Sequence, residues 1–333
     1  MTSVIEGIAY ARAGLLGNPS DGYGGKVLAV IVRNFAARVR LEEGPVLAFP
    51  PSAGDEDTYG GIDEFIARIG LYGYYGSIRL VKAAFRTFCA YCRESGASLP
   101  RRVFAARAES GIPRQVGLGG SSAIVTAAIR AFMAFYEVAV PLDVLPSIVL
   151  AAERDELDIN AGLQDRVAQA YEGCVYMDFD ADLVRRTGRG RYERIDTKLL
   201  PPLYLAYKPD LGKVSGRVLN EIRVKFDRGD AYTVETIGRI AGLAERGRDA
   251  LLAGDRESFH GLMDENFDLR RTIMTIGRDN LELVETARRI GASATFAGSG
   301  GSIIGIFRSE AQWAALEAAL GRIGAAVVRP AVD

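Results

Sequence analysis

The chain has 333 residues, of which 48% are hydrophobic, and its formal net charge is -1 with acids and bases interspersed. This length suggests two domains with ample core. No apolar run is long enough to cross a bilayer, no basic-then-apolar leader opens the chain, and no basic block points to nucleic acid or an anionic membrane, so attraction for an anionic ligand must be local.

In chain order, Gly7 to Ala13 alternates loosely and leads into a turn-rich loop, Gly14 to Gly25. Val27 to Val32 and Ala36 to Leu41 read as two strands joined by Arg33-Asn34-Phe35. Pro45 to Gly61 is a polar surface loop, followed by helices at Asp63–Ile69 and Tyr74–Arg93, the second with Ile78, Val81, Phe85 and Phe88 on one stripe. Val103 to Ala108 is a strand that leads to Pro113-Arg114-Gln115-Val116-Gly117-Leu118-Gly119-Gly120-Ser121-Ser122-Ala123. Helices are expected over Ile124–Tyr136 and Leu142–Leu157, a strand over Gly173–Phe179, and a charged surface stretch over Asp182–Arg194.

Leu199-Leu200-Pro201-Pro202 marks a candidate boundary, giving domains at 1–198 and 199–333. Beyond it come a strand, Leu203–Tyr207, a loop at 209–213 and a charged helix, Ser215–Phe226. Amphipathic helices follow over Thr233–Leu252, Asp255–Thr272 and Asn280–Ile290, the last with Gly291 as a left-handed cap. Strands Ala294–Ala297 and Ile303–Phe307 flank Gly298-Ser299-Gly300-Gly301-Ser302, and Ala311–Ile323 is the last helix.

The stretch Gly117 to Ser122 carries the chemistry. Backbone N–H groups of a glycine loop that opens a helix converge on one spot and suit a phosphate, with serine hydroxyls as further donors or magnesium ligands; a plain loop with a Ser N-cap is the competing reading. No G-x-x-x-x-G-K-[ST], no H-R-D with D-F-G and no dinucleotide G-x-G-x-x-G is present. Cys89 and Cys92 form a C-x-x-C without the second pair that a zinc tetrahedron needs, and they read as two small buried side chains on a helix. His260 is the single histidine, which argues against Ser-His-Asp, Cys-His and multi-histidine metal sites and leaves a carboxylate or a lysine as the base.

Three loops in this order resemble those of the GHMP kinase superfamily: Gly17-Asn18-Pro19-Ser20-Asp21, then Pro-x-x-x-Gly-Leu-Gly-Gly-Ser-Ser-Ala, then Gly298-Ser299-Gly300-Gly301-Ser302. Within it the chain is most similar to plant-type glucuronokinases, through residues 10–21, Gly162-Leu163-Gln164-Asp165-Arg166-Val167-Ala168-Gln169, Val175 to Phe179, Leu199 to Leu203 and Asn266 to Arg271. The resemblance implies an α+β, two-domain GHMP kinase fold with an N-terminal domain like domain 2 of ribosomal protein S5, a ferredoxin-like C-terminal domain and the active site in the cleft between them. It implies transfer of the ATP γ-phosphoryl to the anomeric hydroxyl of D-glucuronate, with ATP and Mg2+; the lack of a targeting segment together with ATP as cosubstrate predicts a cytoplasmic location, and the interspersed charge predicts no nucleic-acid or membrane partner. A kinase for another sugar, such as galacturonate, arabinose or a heptose, and a non-catalytic sugar and ATP sensor are the alternatives.

By the same resemblance Gly117, Leu118, Gly119, Gly120, Ser121 and Ser122 cradle the nucleotide phosphates, and Ser122 and Glu153 hold the magnesium ion, with Glu156 one turn on as the alternative carboxylate. Asp165 is the catalytic carboxylate that takes or orients the sugar hydroxyl proton. Arg12 stands where many relatives have a lysine near the reacting oxygens; it can clamp two oxygens but not shuttle a proton. Asp21, with Asn18 and Ser20 beside it, binds sugar hydroxyls, and Arg166, Arg270 and Arg271 are the cations available for the substrate carboxylate, Arg166 and Arg271 being taken as the binders.

Overall fold

A computed structural model of the chain describes residues 4–50, 76–209, 211 and 216–333. The helix expected at 63–69 and the loop beyond residue 50 lie outside them. Contacts divide the chain into two units that are not continuous in sequence.

The first unit comprises Met1–Ala11, Phe35–Ile112 and Gly119–Ala170. Strand β1 (Val4–Leu16) begins in it, and β2 (Lys26–Gly44) ends in it, pairing antiparallel with β3 (Val103–Ser110) from Ala37 opposite Ser110 to Gly44 opposite Val103. Four helices complete it: α1 (Ser77–Ser95), α2 (Gly120–Tyr136), α3 (Leu145–Arg154) and α4 (Leu163–Tyr171). The helix α2 is buried almost all round, which its run of alanines permits because small side chains let neighbours approach closely. At Gly7 a Cβ would stand 2.0 Å from the Ala127 carbonyl oxygen, so β1 lies directly on this helix. Arg130 reaches from α2 to donate to the carbonyls of Ile8, Gln169 and Ala170 at 2.7, 3.0 and 3.1 Å, satisfying acceptors at the end of α4.

The core of this unit is aromatic. Phe85 and Phe88 come from one stripe of α1, Phe132, Phe135 and Tyr136 from one stripe of α2, and Phe104 from the inner face of β3. Phe104 sits among them, its ring centroid 5.1 Å from Phe85, 5.4 Å from Phe132 and 5.3 Å from Phe135. The Cys89–Cys92 pair is reduced, Cys92 buried in the same helix and Cys89 partly so.

The second unit comprises Arg12–Asn34, Pro113–Leu118 and Tyr171–Asp333. In it the start of β2 pairs antiparallel with β4 (Cys174–Asp178), from Lys26 opposite Asp178 to Val30 opposite Cys174, and β4 pairs with β5 (Arg191–Ile195). A second, antiparallel sheet has the order β7-β8-β6-β9, from β6 (Leu203–Tyr207), β7 (Thr295–Phe296), β8 (Ser302–Ile306) and β9 (Ala326–Val328). Its helices are α5 (Ala181–Thr187), α6 (Gly216–Asp227), α7 (Ala231–Ala253), α8 (Arg256–Ile273), α9 (Arg278–Arg289) and α10 (Glu310–Arg322), with α7 packed along α8.

Several elements differ from the sequence expectation. The two strands expected on either side of Arg33-Asn34-Phe35 are one 19-residue strand, β2, because none of those three residues forces a turn. The charged stretch at 182–194 is not bare surface: it holds α5, capped by Asp180 accepting from the Leu183 N–H at 2.9 Å, and then β5. The helix expected from Leu142 begins at Leu145, where Pro146 fits its first turn. The contact units also differ from a division at 198/199: pairing of β4 with β2 and β5 carries residues 171–198 into the second unit.

Phe104 is 0% exposed, so truncation removes ring contacts on three sides. Phe104→Ala is expected to cost about 3–5 kcal/mol, read as a lowered midpoint in urea unfolding monitored on the first unit's helices.

Candidate active site

The glycine loop is built for bare backbone donors. Gln115, Gly117 and Gly119 take φ values of 58°, 75° and 72°, and the N-cap of α2, Gly119, makes no side-chain capping bond. The first N–H groups of α2 therefore carry no side-chain cap, and the positive end of the helix dipole lies with them. The Ser N-cap reading is thus set aside. On the first unit's side of the loop the Gly119 carbonyl is held by three donors: the Ala123 N–H at 3.1 Å, the Ser122 hydroxyl at 3.0 Å and Gln169 Nε2 at 2.8 Å.

Glu153 on α3 is fully buried, yet both its oxygens are engaged. The Ser121 hydroxyl donates to Oε1 at 2.6 Å. Arg166 donates through Nε to Oε2 at 2.8 Å, and its Nη2 reaches the same oxygen. Arg166 also donates from Nη1 to the Gly162 carbonyl at 2.9 Å, and its Nη1 lies 3.6 Å from Asp165 Oδ2. Asp165 itself stands in the first turn of α4 with its side chain 20% exposed. The first unit therefore gathers Ser121, Glu153, Arg166 and Asp165 around one buried charge pair.

The carboxylate at 153 faces Ser121, whereas Ser122 is turned to the Gly119 carbonyl; Glu156, the alternative carboxylate, pairs with Arg86 instead. Arg166, expected at the substrate carboxylate, is committed to Glu153 and Gly162. A hydroxyl facing one carboxylate oxygen is a hard-oxygen donor set of the kind that magnesium takes, with phosphate and water completing it, so Ser121 and Glu153 fit that ion. Arg166 fixes the other carboxylate oxygen and so orients Oε1.

In the second unit the loops around residues 117 and 298 touch. A Cβ at Gly298 would lie 2.0 Å from the Gly117 carbonyl oxygen, which is why a glycine stands there. Arg12, 5% exposed, donates from Nη1 to the carbonyls of Gly117 and Ala297 at 2.6 and 3.1 Å, and its backbone N–H donates to Leu118 at 3.1 Å. Ser302 Oγ donates to the Val116 carbonyl at 2.6 Å, and the Gly301 N–H donates to Asn280 at 2.8 Å.

The N-terminal loop is equally anchored. The Gly17 N–H donates to Asn266 Oδ1 at 2.8 Å, Ser20 Oγ donates to the Lys26 carbonyl at 2.9 Å, and Asn18 Oδ1 accepts from Arg270 Nη1 at 2.8 Å. Asp21 lies in a 3-10 turn, Ser20–Tyr23, half-buried. Arg271 is exposed on α8, while its neighbour Arg270 is fully buried. Gln169, Asn266, Asn280 and Ser302 brace these loops although no motif in the sequence gives them that role. Their signal is polarity at buried positions: Asn266 sits on the apolar stripe of α8 formed by Phe259, Leu262, Met263 and Phe267.

Residues 79–173 match the family model "GHMP kinases N terminal domain" and residues 248–326 match "GHMP kinases C terminal". The chain is 41% identical over 309 residues to Glucuronokinase 1 of Arabidopsis thaliana, covering 91% of this chain and 85% of that protein. Among solved structures it resembles Lactococcus lactis galactokinase complexed with galactose (TM-score 0.76, 16% identity, 99% of this chain and 94% of that one) and Methanococcus jannaschii mevalonate kinase (TM-score 0.74, 18% identity, 99% of each). The chain belongs to the GHMP kinase family and has its two-domain α+β fold. Members of this family transfer phosphoryl groups to an alcohol acceptor and use ATP with Mg2+.

Removing the carboxylate leaves Arg166 a buried cation without its counter-charge. Glu153→Gln is expected to destabilise the fold by about 3–5 kcal/mol, and adding Arg166→Met to recover part of that loss. Urea unfolding of the single and double variants measures both.

Proposed function

We propose that this chain is an ATP-dependent sugar 1-kinase that transfers the γ-phosphoryl group to the anomeric hydroxyl of D-glucuronate, giving glucuronate 1-phosphate and ADP. The observation that carries the substrate choice is the similarity to an Arabidopsis glucuronokinase along nearly the whole chain. The uncapped start of α2 after two left-handed glycines supports the phosphate half of the reading.

In this reading the backbone of residues 117–122 receives the nucleotide phosphates. Ser121 and Glu153 hold the magnesium ion, which neutralises phosphate charge when bound. Asp165 accepts the proton of the attacking hydroxyl, or orients that hydroxyl, with the Arg166 cation beside it keeping the carboxylate in place. Arg12 keeps the loop in shape through Nη1 and presents a fixed positive charge towards transferring oxygens. Asn18 and Asp21 contact sugar hydroxyls, while Ser20 braces their loop from within. The family's domain boundary stays at 198/199, supported by the gap between the two matched family models. A cytoplasmic location suits ATP as cosubstrate, and no described helix is long and apolar enough to cross a membrane.

Purified protein with glucuronate, ATP and Mg2+ is expected to release ADP and form a sugar 1-phosphate, and Asp165→Asn to lower kcat by roughly 10²–10⁴-fold with nucleotide affinity kept. A panel of uronates and neutral sugars in the same assay identifies the acceptor. Wild-type turnover by Asp165→Asn would remove that residue from its role.

A further inference from the structure

Three arginines are buried among the described residues: Arg12, Arg166 and Arg270. Arg12 donates to the Gly117 and Ala297 carbonyls, and Arg166 is paired with Glu153. Arg270 is different. It is 0% exposed, and no carboxylate stands within ion-pair distance of it among the described residues. Its Nη1 donates to Asn18 Oδ1 at 2.8 Å, its Nε points at Met274 Sδ at 3.3 Å, and its guanidinium lies 5.1 Å from the centre of the Phe296 ring. Its Nη2 is buried with no hydrogen-bond partner.

A buried cation with an unused donor is unfavourable unless an anion completes it. The surroundings fix what that anion is. Asn18, Met274 and Phe296 hold the guanidinium plane from three sides, so the free Nη2 edge is already oriented and loses little freedom on binding. Asn18 belongs to the loop read as the sugar-hydroxyl binder, and Asp21 of that loop is close enough to act on the arginine's charge. Burial pulls the Arg270 pKa down to about 10, Asp21 opposes that fall and Arg12 adds to it, so the group remains a cation at neutral pH. A phosphate dianion would bring a second negative charge towards Asp21; a monoanionic carboxylate brings one and matches a single open guanidinium edge.

We propose that Arg270 is the receptor for the substrate carboxylate and sets the preference for a uronic acid over a neutral sugar. This rests on the reading of the chain as a uronate kinase, and it replaces Arg166 and Arg271, of which one is paired with Glu153 and the other is exposed.

The test compares glucuronate with its neutral amide, glucuronamide, in wild-type protein, Arg270→Met and Arg270→Lys, each checked for folding by its thermal transition. In Arg270→Met the KM for glucuronate is expected to rise about 10–100-fold with kcat little changed, while the KM values for glucuronamide and for ATP stay within about threefold. Arg270→Lys, which keeps the charge and loses the fork, is expected to fall between the two. If either folded variant keeps the wild-type ratio of kcat/KM for glucuronate over glucuronamide, or if the loss appears in the KM for ATP, the assignment is overturned. Wild-type protein that phosphorylates no uronate overturns the proposed substrate itself, a separate outcome read before any variant is made.

Discussion

The structure depends on one buried guanidinium. Arg12 ties the carbonyls of Gly117 and Ala297 together with one nitrogen, while its own N–H holds Leu118. Glycine-rich backbone is expensive to order, since glycine loses more conformational freedom on folding than any other residue. Hydrogen bonds from a charged donor, each worth about 1.5–3 kcal/mol, are of a size to offset much of that cost. The close approach of Gly298 to Gly117, and the bonds from Ser302 and Asn280, complete the same clasp. The loop is therefore held in shape by contacts from outside its own turn.

The same economy appears at each buried charge. Arg166 satisfies one oxygen of Glu153 and so aims the other at Ser121. Arg270 is oriented by Asn18 at one nitrogen while another stays without a partner. Gln169 draws the Gly119 carbonyl back, away from where the α2 N–H groups point. In every case a buried polar side chain fixes the orientation of a neighbouring polar group, which is how a cluster of few residues gains a fixed geometry.

Much of this is legible in the sequence, and the rest is hidden for identifiable reasons. The three glycine loops, the amphipathic helices α7 and α8 and the left-handed φ of 81° at Gly291 are written in residue type and spacing. The helix α5 is hard to see because it buries nothing, and only the Asp180 and Gly188 caps mark it. That Ser121 faces Glu153 while Ser122 turns to the Gly119 carbonyl follows from the register of α2, since adjacent helical residues point roughly 100° apart. The burial of Arg270 and the exposure of Arg271 are legible: extending the apolar stripe of α8 by one turn from Asn266 lands on 270 and leaves 271 outside. The continuity of β2 through Arg33-Asn34-Phe35 is a matter of pairing with two different partners along one strand, which no local pattern encodes.

The clasp at Arg12 is tested most directly by calorimetric titration of a non-hydrolysable ATP analogue with Mg2+ into wild-type protein and Arg12→Met. Loss of the two carbonyl contacts should weaken nucleotide binding by about 10-fold or more in a variant that remains folded. Wild-type affinity in folded Arg12→Met would contradict the claim that this side chain holds the glycine loop in a shape that receives the nucleotide.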